Sequence, residues 1–386
     1  MSPRRATFTV FGVNGAMIGT WVAHIPWLQD HLGVSKATLG VCLLCMAAGA
    51  LVSMPLTGHV LDRRSSSSVA RWATLVFCLM LPLPLLATSP AMLGAILFVF
   101  GASNGAMDVA MNAHGVAIQG KLDRPIMSSF HGGWSLGGFV ASGLVAAAAA
   151  SGLDPRLESL VVGVCLWLAS LWITRQLGAA SAHSAAGHGL ALPTRPVILL
   201  GGLCFLVMLA EGAIGDWSGI YLKHNTGASP AAAAMAFTGF SLGMAVARLG
   251  GDVVNARIGA QRLLRAGTAL VAVALGGVLV IGQTVPSVVG FALCGLGIAN
   301  AVPLLFTAAG RLDPPGPSLA AAFTLGYTGF IVGPPVIGAL SDQAGLPRTL
   351  ALLLLALVAV TVLGKRALGA DGSSGDAEVA VGDIAA

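Results

Sequence analysis

Long apolar runs alternate with short polar turns along almost the whole chain. The runs cover approximately 6–27, 37–61, 69–87, 91–118, 126–149, 157–176, 196–222, 230–255, 263–282, 287–309, 318–340 and 347–364. About 20 apolar residues cross a bilayer core as one helix. The pattern therefore predicts 12 spans and an all-α membrane protein. Turn residues punctuate it at Asp62-Arg63-Arg64-Ser65, Asp123-Arg124-Pro125, Asp154-Pro155 and Asp313-Pro314-Pro315, where proline and small polar residues stop helices.

Composition narrows the class. Only 9% of the residues are charged, against roughly 25% in a soluble domain, so the surface must face lipid. The 52 glycines suit helices that approach closely inside a membrane. All six cysteines lie in apolar runs; Cys42 and Cys45 make a CxxC without a second ligand pair, and packing is the simpler reading. The stretch behind Arg4-Arg5 is longer than a signal core and is read as a retained first span.

The net charge of +5 comes with no basic run beyond Arg63-Arg64, so no nucleic-acid partner is expected. Topology explains it. With the N-terminus in the cytoplasm, 16 of the 20 Lys and Arg residues fall on the cytoplasmic side, leaving Lys36, Arg156, Lys223 and Arg348 opposite. Positive residues mark cytoplasmic loops. Both termini are thus expected inside, in a bacterial inner (plasma) membrane.

The Ala/Ser/His/Gly stretch before the seventh span has no helical period. It predicts four regions: an N-terminal six-helix bundle over 1–177, a cytoplasmic linker over 178–195, a C-terminal bundle over 196–368, and a disordered tail over 369–386. The halves repeat at an offset of about 193–196 residues: Gly15 to Trp21 parallels Gly212 to Trp217, Phe130 with Trp134 parallels Phe323 with Tyr327, and Gly101 parallels Gly295. Parallel repeats of this kind build two pseudo-symmetric bundles with a substrate site between them near the midplane.

Gly58-His59-Val60-Leu61-Asp62-Arg63-Arg64, with a degenerate copy Arg248-Leu249-Gly250-Gly251-Asp252, resembles the loop signature of the major facilitator superfamily. The resemblance implies a loop that pins helix ends in one conformational state, with Asp62, Arg63, Arg64, Arg248 and Asp252 as gating candidates. The first copy lacks the signature's later glycine, and the second has Asn255 where the Asp62 counterpart falls. Within the superfamily, Gly105 to His114, Pro125 to Gly138, Glu211-Gly212 with Asp216-Trp217-Ser218, and Gly333 to Gly338 resemble the bacterial fucose-permease-like branch. That branch includes proton-coupled sugar uptake systems.

Ionisable residues deep in a span are costly and default to function. Asp108 leads, with Asn104 and Asn112 four residues to either side on one helical face. It is read as the proton or hydroxyl site, and an acidic residue on the fourth span has a protonation role in the resembled branch. His131 could exchange a proton with Asp108 if the fourth and fifth spans lie close; a packed histidine is the competing reading. Glu211 is a substrate or proton candidate, with Asn14 in the corresponding part of the first half. Trp134 and Tyr327 could stack on a sugar, and Asn300 is a further polar candidate. Gly333-Pro334-Pro335 should kink or break the eleventh span, because proline removes a donor and clashes with the preceding turn.

No P-loop, HExxH or strand-flanked GxSxG motif is present, so neither an enzyme nor a cofactor is expected. The sequence points to secondary active transport of a small polar solute by a monomer, coupled to protons. Efflux of drugs or metabolites is the alternative direction, and a non-transporting sensor on a transporter fold is the alternative class.

Overall fold

The computed structural model describes residues 1–121, 126–178 and 194–369, without the side chains of 315, 316 and 369. The expected linker and tail fall almost wholly outside these residues, as do Asp123, Arg124 and Pro125.

The helices are α1 (Pro3–Leu32), α2 (Lys36–Leu61), α3 (Ser66–Met80), α4 (Pro90–Gln119), α5 (Met127–Ala150), α6 (Pro155–Ile173), α7 (Arg195–Asn225), α8 (Pro230–Ile258), α9 (Ala260–Ile281), α10 (Thr284–Ile298), α11 (Ala301–Ala309), α12 (Pro315–Ala344) and α13 (Leu346–Gly369). Among the described residues they form 12 membrane-length spans and no strand, with α10 and α11 sharing the tenth span. Their starts follow local chemistry. Ser2, Ser35, Ser65, Ser89 and Ser229 each accept a hydrogen bond from a first-turn N–H. Proline, which has no N–H to leave unpaired, opens α1, α4, α6 and α8.

The break falls in the tenth span rather than the eleventh. Asn300 separates α10 from α11, three residues before Pro303. The Pro303 ring crowds the carbonyl four residues earlier and cannot donate to it. Pro334 and Pro335, by contrast, lie inside an unbroken α12. There α2 supports the backbone: a Cβ on Gly40 would touch the Pro334 carbonyl oxygen, and one on Gly338 would strike Lys36.

The helices sort into two six-span bundles that share a packing plan. In the first, α2 lies along α4 and α1 along α5; in the second, α8 lies along α10 and α7 along α12. The glycines show the repeat at atomic scale. A side chain on Gly49 would strike the Phe98 carbonyl, and one on Gly101 the Met46 carbonyl; Gly243 stands against Ala292 and Gly295 against Phe240. Every member of the second set sits 194 positions after its counterpart (49 to 243, 98 to 292, 101 to 295, 46 to 240). Small residues buy this approach, and the gain is dispersion between backbones in a solvent that offers no hydrophobic drive.

Two long seams join the bundles, α5 on α8 and α2 on α12. Two shorter ones add α1 on α7 and α8. The end remote from the N-terminus is closed: Lys223 of α7 pairs with Asp30 and donates to the Pro26 carbonyl (3.1 Å) of α1. At the N-terminal end α4 makes no extended contact with α10, α11 or α12. The close approaches of α2 to α12, Gly40 on Pro334 and Gly338 on Lys36, lie at the closed end, so the bundles stand further apart toward the N-terminal end.

Gly49→Leu or Gly243→Leu should lower stability by about 1–3 kcal/mol through overpacking. Gly276→Leu, where an added Cβ meets nothing within 4 Å, should be close to neutral. Thermal unfolding midpoints in detergent check the contrast.

Candidate functional site

Polar side chains from both bundles meet between them, well inside their helices. Three groups make a chain in the first bundle. Trp134 Nε1 on α5 donates to Asn14 Oδ1 on α1 (2.8 Å), and Asn14 Nδ2 donates to Asn104 Oδ1 on α4 (3.0 Å). Each amide thus has a fixed orientation. Four residues along α4, Asp108 accepts from Asn112 Nδ2 at its carboxylate (3.1 Å) and at its backbone oxygen (2.9 Å). The expected stripe Asn104–Asp108–Asn112 is one half-buried face of α4.

The second bundle supplies the charges. Arg248 on α8 approaches Glu211 on α7 (3.5 Å). The same guanidinium crosses to α5, donating to Ser135 Oγ (2.9 Å) and lying 5.6 Å from the centre of the Trp134 ring. Ser128 Oγ of α5 donates to the Arg248 carbonyl (2.9 Å). Both charged side chains keep a small exposure, 13% for Arg248 and 16% for Glu211, so they line the open space rather than a dry core. Tyr327 on α12 stacks on Phe323 (4.3 Å) and sits edge-on to Phe330 (6.0 Å). Its helix α12 packs along α7, which carries Glu211.

The structure joins Asn14, Asn104 and Trp134 and, through Arg248, Glu211; Asp108 and Asn112 continue the Asn104 face of α4, and Tyr327 stays in a ring stack on α12. Arg248 was expected in a gating loop, but α8 runs ten residues further to Ile258. His131 stands apart from Asp108. Its ring meets Phe11 edge-on (5.3 Å), because α5 packs on α1 and α8 while α4 packs on α2 and α3. Asn300 donates to the Ala247 carbonyl (3.2 Å) and fills the space over Gly251, joining the tenth span to α8. Asp62, Arg63, Arg64 and Asp252 are exposed, and Asp62 ends α2. Trp21 and Trp217 are buried in the bundle cores, at 1% and 0% exposure, and reach neither the interface nor the site.

Two participants escaped the sequence reading. Ser135 is one, indistinguishable from the packing serines of an apolar helix. The other is the buried pair His24–Glu158 (2.7 Å), which ties α1 to α6. Its members lie 134 positions apart and near span ends, so neither looks like a mid-span charge.

Two bundles around a half-open polar space, with charges held at mid-span, have the architecture of a membrane carrier. The model of the Major Facilitator Superfamily matches residues 6–316. An uncharacterized MFS-type transporter of Yersinia pestis is 34% identical over 364 residues, covering 93% of this chain and 95% of that one. Membrane protein MosC of Rhizobium meliloti is 31% identical, covering 92% and 86%. Among solved structures, a mutant of the nucleoside transporter NupG matches with TM-score 0.75 at 12% identity, over 95% of this chain and 100% of that one. A bacterial homolog of the human lysosomal transporter Spinster, inward-facing and occupied, matches with TM-score 0.73 at 13% identity, over 94% and 96%. The chain belongs to the Major Facilitator Superfamily and is a membrane transporter.

Asn14→Ala should strand the Trp134 donor and the Asn104 acceptor together and cost about 1–3 kcal/mol. Trp134→Phe leaves Asn14 on Asn104 and should cost less. Unfolding midpoints of the two variants test that order.

Proposed function

We propose that this transporter carries a small polar, sugar-like solute together with protons, by alternating access. One observation carries the reading: amides, an indole, a guanidinium and a carboxyl from both bundles form one chain of contacts, Asn104–Asn14–Trp134–Arg248–Glu211, with Asp108 on the Asn104 face of α4. A hydroxylated solute offers donors and acceptors to such groups, and apolar ring faces to Trp134 and Tyr327. A purely apolar solute would leave them unpaired at a cost.

The carboxyls divide the work. Glu211 has Arg248 beside it and holds its charge in a fixed pair. Asp108 has an amide partner and, among the described residues, no paired cation, so it is the group that can take and release the coupled proton.

The lysine and arginine distribution supports placing both termini in the cytoplasm; the high Ala and Gly content and short loops suit a bacterial inner membrane, and in this reading the chain acts as a monomer. The open end then faces inward. The exposure of Asp62, Arg63 and Arg64 at that end suits an inner latch that is released here. The bundle limits at 1–177 and 196–368 and the fucose-permease-like branch belong to this same reading. NupG's name gives nucleosides as its own solute; at 12% identity that likeness carries the fold and not the solute.

In proteoliposomes reporting internal pH, one member of a panel of sugars and polar metabolites should acidify the interior when added outside. Asp108→Asn should abolish solute-driven acidification while solute counterflow persists. A flat trace with every solute would contradict symport, and unchanged acidification in Asp108→Asn would remove Asp108 from the proton path.

A further inference from the structure

The two long seams between the bundles are related by the repeat, since α5 corresponds to α12 and α2 to α8. They are nevertheless built differently. The α5–α8 seam is fastened from end to end. Ser128 bonds the Arg248 carbonyl near the N-terminal end, Ser135 accepts from Arg248 in the middle, and Thr238 donates to Ser142 Oγ (3.0 Å) toward the far end. Beyond that, Val145 and Ala146 pack with Ala23 and Ala234. From Ser128 to Ala146 this is about 27 Å of helix at 1.5 Å per residue.

The α2–α12 seam is fastened at one end. Among the described residues its closest backbone approaches and its side-chain hydrogen bonds fall between Lys36–Gly40 and Pro334–Asp342, about 12 Å of helix. Asp342 makes the bonds. One carboxylate oxygen accepts from the Lys36 N–H (3.1 Å), the other from the Ala37 N–H (3.0 Å). A residue of the second bundle thereby caps a helix of the first. These donors are left over at any helix start, and a carboxylate there also meets the positive end of the helix dipole.

We propose that the carrier opens its closed end asymmetrically: α5–α8 is a standing pivot, and α2–α12 is the parting seam, latched by Asp342. The two seams differ in what parting them costs. Separating α5 from α8 takes Ser135 and the Trp134 ring from Arg248, leaving it only Glu211, and breaks the buried Thr238–Ser142 bond, after which each hydroxyl keeps only a carbonyl of its own helix; no water stands in for the lost partners in a membrane interior. Separating α12 from α2 exposes a carboxylate and two N–H groups at an exposed edge, where water replaces each bond. Such a contact can be made in one state and broken in the other at low net cost. The ion pair of Asp30 with Lys223 closes the neighbouring α1–α7 contact in the same chemistry.

Hydrogen–deuterium exchange of the purified full chain in nanodiscs tests this without a solute, so its outcome is independent of the transport reading. Asp342→Ala and Asp342→Asn should speed exchange in peptides spanning Val34–Leu43 and Gly338–Leu346, by about tenfold for the alanine variant. Peptides spanning Ala146–Leu153 and Pro230–Phe240 should keep the wild-type rate, which also reports that each variant is folded. If the alanine variant fails to fold, the asparagine variant carries the test. Unchanged exchange at Val34–Leu43, or an equal rise at both seams, would overturn the proposal.

Discussion

The arrangement of this transporter depends on keeping one arginine charged inside a membrane. Arg248 has a carboxylate from α7, a hydroxyl from α5 and the face of Trp134 around it. Removing a cation from water costs several kcal/mol unless its donors are met and its charge is balanced. Here the balance comes from the same bundle and the hydroxyl from the other one. The solution to a local solvation problem is therefore also the place where the halves are joined. The α5–α8 seam, the orientation of Trp134 and the amide chain through Asn14 to Asn104 follow from where that guanidinium sits.

Close glycine packing makes the placement possible. Helices in lipid gain little from burying apolar surface against each other, so their association rests on backbone contact and polar bonds. The matched approaches at Gly49, Gly101, Gly243 and Gly295 hold each bundle as a rigid unit. The polar groups can then be sparse, confined to the space between the units. A carrier needs that division: stiff halves, and an interface whose bonds can be exchanged.

Much of this is legible in the residues. Runs of about 20 apolar positions show the spans, because nothing else satisfies a backbone in lipid. The offset of Gly101 and Gly295 shows the repeat, and the four-residue spacing of Asn104, Asp108 and Asn112 shows a polar face. What escapes the reading is long-range or depends on where a helix ends. Arg248 looks like part of a loop until α8 is seen to run on to Ile258. His131 looks like a partner for Asp108 because their spans are consecutive, yet α4 and α5 pack on other helices. Gly333-Pro334-Pro335 reads as a kink or a break, but α12 runs through it with α2 bracing that stretch, and an interruption falls at Asn300. The pair His24–Glu158 joins residues 134 positions apart, a separation at which no local pattern exists.

The most direct measurement is a double-variant cycle on Glu211 and Arg248, following unfolding midpoints and counterflow of whichever solute the carrier accepts. Each single neutralisation, Glu211→Gln or Arg248→Gln, leaves one charge without its partner and should lower stability by roughly 1–3 kcal/mol. The double variant should regain most of that stability, because no lone charge remains, yet it should carry no solute. Counterflow at the wild-type rate in the double variant would contradict the account, since a site organised around this pair could not survive its removal.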